Sequence, residues 1–155
     1  MTALKLSGSD VIFLQETHLY RQELIDKCTA EWPGKSYWSL SEPRSCGIAI
    51  LFSPKLEITI EAVHFKNAGR SLTIDSVINL CKVRFICIYG YNDHTKGNVL
   101  INSLTDEVIT ERFVILGGDF NFVEDPVLDK SSGEDKYGAS SRPIMASFPR
   151  PIISS

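Results

Sequence analysis

The chain has 155 residues, which is the length of one ordinary domain and enough to bury a continuous core. Hydrophobic residues make up 43% and charged residues 23%, a composition that excludes an intrinsically disordered protein. The net charge of -3 argues against a protein that binds nucleic acid through a large overall positive charge, but it is compatible with a local basic surface.

The cysteines and the N-terminal residues exclude several further classes of protein. The four cysteines form no C-x-x-C pair, which argues against a zinc site, and we expect Cys81 and Cys87 to behave as small buried hydrophobes. Residues 1–9 lack the apolar core of a signal peptide, and no apolar run approaches the roughly 18 residues of a membrane span. These features predict a nuclear or cytosolic protein with reduced thiols that is not secreted.

The first third of the chain predicts a strand, a helix and a second strand. Residues 10–14 (DVIFL) form an apolar run after a polar lead, which indicates a buried strand. Residues 18–28 carry apolar side chains at helical spacing. Pro33 and Gly34 then predict a turn that leads into a strand near residues 37–40.

The middle of the chain is rich in strand signals. Its four strand candidates are separated by turn signals such as Asn67-Ala68-Gly69, and they cover residues 46–52, 56–65, 72–78 and 83–89. Because these candidates follow one another closely, they predict a β-hairpin meander over residues 46–89.

The last part of the chain predicts one helix and one strand. Residues 99–109 have helical spacing, and residues 113–116 (FVIL) predict a short buried strand that ends at Gly117-Gly118. After Asn121 the chain becomes rich in Asp, Pro, Ser and Gly, and residues 146–155 read as an irregular tail. Several adjacent strands between helices predict an α/β fold with two packed mixed sheets.

A glutamate follows the first predicted strand. Glu16 stands at the carboxyl end of that strand, where α/β folds place ligand contacts. Mg²⁺ prefers one or two carboxylates together with water and phosphate oxygens, so a single Glu is an adequate protein ligand. Glu16 could equally be a polar residue at a helix start, where negative charge favours the helix dipole.

Polar residues follow the last predicted strand in the same way. Asp119 and Asn121 come directly after Gly117-Gly118, and strand alternation places their side chains on one side with Phe120 on the other. The glycines would let the backbone approach a ligand closely. An acid beside an amide donor suits phosphoryl chemistry, because one orients water and the other binds a phosphoryl oxygen. The alternative is an ordinary turn at the end of a strand.

Tyr89 and Asn92 end the strand candidate at residues 83–89. A phenol and an amide at this edge could both reach a phosphate. The alternative is a cross-strand aromatic followed by a turn asparagine.

In their order and spacing, these segments resemble the endonuclease/exonuclease/phosphatase superfamily. Within it, the sequence is most similar to the apurinic-endonuclease-like domains of non-LTR (LINE-type) retrotransposons and to exonuclease III. The similarity covers roughly residues 10–145, and the segments that carry it are residues 14–17 (LQET), residues 46–53 (CGIAILFS), Tyr89 with Asn92, and residues 118–121 (GDFN).

The resemblance implies a four-layer α/β sandwich that cleaves a phosphodiester in DNA with Mg²⁺, or Mn²⁺ in its place, as a monomer without membrane contact. It also implies a role for each matching residue. Glu16 would hold the metal, and Asp119 would orient or activate the attacking water. Asn121 would stabilise the phosphoryl group, while Tyr89 and Asn92 would line the site.

Three departures from the superfamily pattern bear on activity. The asparagine of a strand before residue 10 is missing, and no late aspartate or Ser-Asp-His signature follows Asn121. The usual proline between the tyrosine and the asparagine is Tyr91 here, which predicts a less rigid loop. We therefore expect a domain that lacks both ends, and a chain that is a poor nuclease or an inactive one.

Two other interpretations stay open. One is a phosphatase or phospholipase of the same superfamily that acts on a phosphoinositide or a sphingolipid. The other is a non-catalytic remnant of such a domain.

Overall fold

A computed structural model describes residues 8–40 and 47–121, apart from the side chain of His94. The described elements are, in chain order, strand β1 (Val11–Leu14), helix α1 (Gln22–Glu31), strands β2 (Ser36–Trp38), β3 (Ala49–Phe52) and β4 (Thr59–Lys66), a 3-10 turn (Asn67–Gly69), strands β5 (Ser71–Ile78) and β6 (Cys81–Tyr89), helix α2 (His94–Val108) and strand β7 (Phe113–Asp119). The predictions beyond Asn121, including the tail at 146–155 and the core limit near 145, lie outside the described residues.

The strands form two sheets. One has three antiparallel strands in the order β1-β3-β2, and the other has four strands in the order β4-β5-β6-β7. In the second sheet, β4, β5 and β6 are antiparallel, whereas β7 runs parallel to β6. The meander predicted over residues 46–89 is therefore wrong at its start, because β3 pairs with β1 and β2 and only β4 to β6 form a meander.

The core lies between the sheets and is built on aromatic rings. The ring of Phe85 lies 5.2 Å from that of Phe52 and 6.4 Å from that of Phe13, both measured between centroids. Strand β6 is apolar on both faces because both are covered: Phe85 and Cys87 face the core, and Ile86 and Ile88 face away from it. This double burial explains why the sequence of β6 reads as a continuous apolar run.

A helix covers the outer face of each sheet. Ile25 of α1 packs against Trp38, Ala49 and Leu51 of the three-stranded sheet. Leu104 of α2 packs against Ile86 and Ile88 of the four-stranded sheet. The layers are therefore helix, sheet, sheet and helix, which confirms the predicted α/β sandwich.

Charged side chains fix the C-terminal half of α2 on its sheet. Arg84 binds both carboxylate oxygens of Asp75, at 2.6 and 2.8 Å, and also donates to the backbone oxygen of Glu107 at 2.9 Å. Lys66 pairs with the Glu107 carboxylate at 2.8 Å. The Arg84 guanidinium beside Asp75 holds the pKa of that carboxyl below its usual range. These partners give a buried charge the pairing that it requires.

Both helices begin at residues other than those predicted from the spacing of apolar side chains. Helix α1 begins at Gln22 instead of near residue 18, because His18 has a left-handed φ of 52° that no α-helix contains. Helix α2 begins at His94 instead of Val99, because the Asp93 side chain accepts from Lys96 N at 2.9 Å and caps the first turn.

Two burial predictions are wrong. Cys87 is fully buried as expected, but Cys81 is exposed. The described residues cover strand β7 on one face: Val114 and Leu116 pack towards α2, whereas Phe113 and Ile115 on the opposite face are 66% and 45% exposed. Phe13 of the three-stranded sheet contacts β7 at Gly117, where its ring lies against the Gly117 backbone.

No helix among the described residues is long and apolar enough to cross a membrane.

The two faces of the second sheet give a stability test. Phe85→Ala should reduce the free energy of unfolding by about 3–5 kcal/mol, because it empties the centre of the core. Ile115→Ala should cost about 1 kcal/mol or less, because much of that side chain is already in water. Urea denaturation of both variants measures the difference, and equal losses would mean that Ile115 is buried in solution.

Candidate active site

Four of the five predicted site residues meet at one edge of the two sheets. Strands β6 and β7 are parallel, and their register makes Tyr89 the direct partner of Asp119. Parallel strands end at the same edge, so both side chains stand at the carboxyl end of the sheet. Strand β1 of the other sheet ends two residues before Glu16, which reaches the same place from across the core.

The closest contact at this edge joins the two sheets. The Tyr89 hydroxyl donates to Glu16 Oε1 at 2.5 Å, a short charge-assisted hydrogen bond. Glu16 is exposed and has a left-handed φ of 51°, which a non-glycine residue rarely adopts. Residues held in such conformations are concentrated at functional sites.

The environment of Tyr89 determines what its hydroxyl can do. The hydrogen bond to Glu16 raises the pKa of Tyr89, with further contributions from burial and from the negative charges of Glu16 and Asp119, while Arg70 acts in the opposite direction. At neutral pH the phenol therefore stays protonated. It serves as a hydrogen-bond donor and not as a base.

Asp119 and Asn121 form a compact turn at the end of β7. The backbone N–H of Asn121 donates to Asp119 Oδ1 at 3.0 Å, and Asn121 has a left-handed φ of 47°. The Asn121 amide donates to Gly90 O at 3.2 Å and keeps a second hydrogen for another acceptor. Phe120 packs into the cluster under α2, as the alternation predicted.

The two glycines before Asp119 allow close packing against neighbouring strands. A Cβ at Gly118 would lie 2.0 Å from Ile88 O, and one at Gly117 would lie 3.1 Å from the Phe13 ring. Gly118 also has a φ of +140°. The backbone of β7 therefore approaches β6 and β1 closely, and a side chain at either glycine would obstruct this packing.

Asn92 stands apart from the other four residues. It is exposed, it lies just before the Asp93 cap of α2, and it makes no hydrogen bond to the other predicted site residues. Asn92 follows Tyr89, the last residue of β6, by three positions, and its role as a substrate ligand stays a prediction.

Arg70 is a site residue that the sequence analysis missed. Its guanidinium lies 4.9 Å from the Tyr89 ring centroid and donates to the backbone oxygens of Tyr89 and Gly90, at 3.3 and 2.7 Å. The available signal was its place directly after the turn Asn67-Ala68-Gly69, at the start of a strand that pairs with β6.

The residues at this edge fit a magnesium ion. Across the described ranges, no three side chains of His, Cys, Asp or Glu cluster to hold a metal by themselves. Mg²⁺ does not need such a cluster, because one or two carboxylates suffice when water and phosphate supply the remaining oxygens. Glu16 and Asp119 both present hard carboxylate oxygens beside Tyr89, and the exposed edge leaves room for those waters.

The sequence profile of the Endonuclease/Exonuclease/phosphatase family matches residues 1–135, so the chain belongs to that family. This confirms the superfamily that the four segments indicated. A comparison with curated proteins finds no match.

Several solved structures share the fold. An AP endonuclease from Archaeoglobus fulgidus is 21% identical with a TM-score of 0.59, and covers 81% of this chain and 52% of its own. TDP2 from Caenorhabditis elegans in a truncated form is 22% identical with a TM-score of 0.56, over 78% and 53%. The 3′ phosphatase NExo from Neisseria, bound to a product DNA hairpin, is 19% identical with a TM-score of 0.58, over 77% and 50%. The chain thus spans about half the length of these structures.

The contact between Glu16 and Tyr89 can be tested by titration. Glu16→Gln should lower the pKa of Tyr89 towards the ordinary phenol value, because it removes the negative charge that disfavours the phenolate. The difference in phenolate absorbance between each protein and its Tyr89→Phe counterpart isolates this one tyrosine.

The free energy of unfolding should depend on pH because the pKa of Tyr89 is raised in the folded protein. Because the folded-state pKa of Tyr89 is raised, its contribution to stability is complete below the ordinary phenol pKa and is lost as pH rises through the raised value. An unchanged phenolate titration in the Glu16→Gln variant would contradict the contact.

Proposed function

We propose that this edge is part of the active site of a Mg²⁺-dependent enzyme that hydrolyses phosphodiesters in DNA, of the retrotransposon endonuclease type. The observation that supports the proposal best is the convergence of Glu16, Tyr89 and Asp119 from three strands of two sheets. The left-handed conformations of Glu16 and Asn121 support it further, because residues held in such conformations are concentrated at functional sites.

Each residue has a role that its contacts allow. Glu16 would hold Mg²⁺, or Mn²⁺ in its place, and Tyr89 orients the Glu16 carboxylate by donating to one of its oxygens. Asp119 would orient the attacking water and accept its proton. Asn121 would donate its remaining amide hydrogen to a phosphoryl oxygen, and Asn92 would bind the substrate at the rim. When bound, the metal would stabilise negative charge on the phosphate.

The rate at which this chain hydrolyses DNA is a separate part of the proposal. Half the length of the solved relatives lies outside the alignment, and no histidine follows His94 to supply the late imidazole that the superfamily pattern contains. We therefore propose that the chain alone hydrolyses DNA slowly or not at all, as a monomer in the nucleus or the cytosol.

Metal binding and DNA nicking together test this function. Glu16→Gln should weaken Mg²⁺ or Mn²⁺ binding by at least about tenfold, because even residues that only orient a metal ligand contribute that much. Isothermal titration measures the affinity, and conversion of supercoiled plasmid to the nicked form measures hydrolysis. Glu57→Gln is the matched control, since that carboxylate is exposed and outside the site.

The same assays separate the two remaining interpretations. A 3′-phosphorylated DNA hairpin and a phosphoinositide, offered beside the plasmid, would identify a phosphatase or phospholipase if either were hydrolysed faster than DNA. Equal metal affinity in the wild-type chain and the Glu16→Gln variant would contradict the proposed metal site. If no substrate were hydrolysed either, the chain would be a non-catalytic remnant.

A further inference from the structure

Arg70 holds one side of the segment from Tyr89 to Tyr91. The guanidinium donates to the backbone oxygens of Tyr89 and Gly90, at 3.3 and 2.7 Å. It also lies against two aromatic rings, 4.9 Å from the Tyr89 centroid and 4.1 Å from the Tyr91 centroid. One side chain thus makes four contacts with three consecutive residues, including the tyrosine that binds Glu16.

The opposite side of the segment is fixed by the end of β7. Gly90 N donates to Asp119 O at 2.6 Å, and Gly90 O accepts from the Asn121 amide at 3.2 Å. A Cβ at Gly90 would lie 1.9 Å from Phe120 O, so no other residue allows this approach. The segment is therefore held between Arg70 and the turn that carries Asp119 and Asn121.

A tight turn directly before Arg70 sets the direction of the Arg70 side chain. Asn67, Ala68 and Gly69 all have left-handed φ values, of 53°, 50° and 79°. Gly69 O accepts from the Ser39 hydroxyl at 3.1 Å, which ties the turn to the three-stranded sheet. Arg70 O accepts from Tyr89 N at 2.9 Å, so the backbone of Arg70 is also bound to the end of β6.

We infer that Arg70 and Tyr91 are positioning residues that act as one unit: together they hold the segment that places Tyr89 against Glu16 and leads to Asn92. This inference rests on the proposed function of the edge. Arg70 supplies a planar, forked donor group that can bind two carbonyls and stack on rings at once, which a lysine cannot do. Tyr91 covers the guanidinium at the shorter of the two ring distances, and so keeps its donors directed at the backbone.

The geometry argues against Arg70 as a simple substrate ligand. Its Nη1 atom is engaged by both carbonyl oxygens, and its flat surface lies against two tyrosines. A group bound in this way acts on the segment that it holds, and direct contact with a phosphate through its other nitrogen atoms is the competing role. The two roles predict different results for Tyr91, because only a positioning role requires the Tyr91 ring.

Hydrogen exchange at the amide of Gly90 tests the inference without any need for activity. Arg70→Lys and Tyr91→Ala should each accelerate this exchange by about tenfold or more, because they release hydrogen bonds donated by a charged group. Tyr91→Phe should retain wild-type protection, since it keeps the ring. The double variant Arg70→Lys with Tyr91→Ala should exchange no faster than the more affected single variant, because the pair acts as one unit.

Arg21→Lys provides the matched control. Arg21 also lies over a tyrosine ring, at 5.0 Å from the Tyr20 centroid, but on an exposed surface away from the segment. This variant should leave Gly90 exchange unchanged. The midpoint of urea unfolding, measured for every variant, separates local opening of the segment from general loss of stability.

Kinetics distinguish positioning from substrate binding. Where the protein nicks plasmid DNA at a measurable rate, Arg70→Lys and Tyr91→Ala should lower kcat for that reaction and leave KM nearly unchanged. A raised KM for Arg70→Lys, with unchanged Gly90 exchange and no effect of Tyr91→Ala, would overturn the inference in favour of a direct phosphate contact. If no form of the protein hydrolysed DNA, the proposed function would fail, and the exchange data would still decide whether Arg70 and Tyr91 position the segment.

Discussion

The parallel pairing of β6 with β7 is the constraint on which the rest of the site depends. It is the one parallel pair among the described strands, and its register sets Tyr89 beside Asp119. An antiparallel β7 would carry its Asp119 to the far end of the sheet. The parallel direction requires a crossover, which α2 supplies by returning over the outer face of the sheet. The capping of α2 by Asp93 and the ion pairs below its C-terminal half are thus part of what places Asp119.

A second constraint holds the two sheets together below the site. Successive inward residues of β6 meet the end of β1: Phe85 lies against Phe13, the Cys87 thiol lies 3.7 Å from Leu14 O, and Tyr89 reaches Glu16. Burial raises the pKa of Cys87 to about 12, so this thiol stays neutral and acts as a packing group. The Glu16–Tyr89 contact is therefore the outermost of three contacts between β6 and the segment from Phe13 to Glu16, and the core beneath it determines its distance.

The sequence predicted the elements well and their partners less well. Apolar runs marked β1, β3, β6 and β7 because burial requires them, and each predicted site residue ended or followed such a run. Pairing is a long-range property, so nothing local could assign β3 to the first sheet. Burial of Phe113 and Ile115 was predicted from hydrophobicity alone, but it depends on what covers that face of β7. Arg70 was missed because its contacts reach residues 19 to 21 positions away, a separation that no motif or periodicity records.

The backbone of the site adopts unfavourable left-handed conformations at several positions, and each of them costs free energy. Glu16, Asn121, Asn67 and Ala68 all adopt left-handed conformations that cost roughly 1 kcal/mol or more each. Such a cost persists only where surrounding structure offsets it, and the aromatic core directly below the edge supplies that burial. Tyr91 fits the same pattern. The superfamily pattern has a proline there, whose ring limits the loop by covalent means. In this chain the Arg70 guanidinium stacks on the Tyr91 ring and restrains the same position through non-covalent contacts. Replacing proline by Tyr91 therefore changes how the loop is made rigid, but the loop is still restrained.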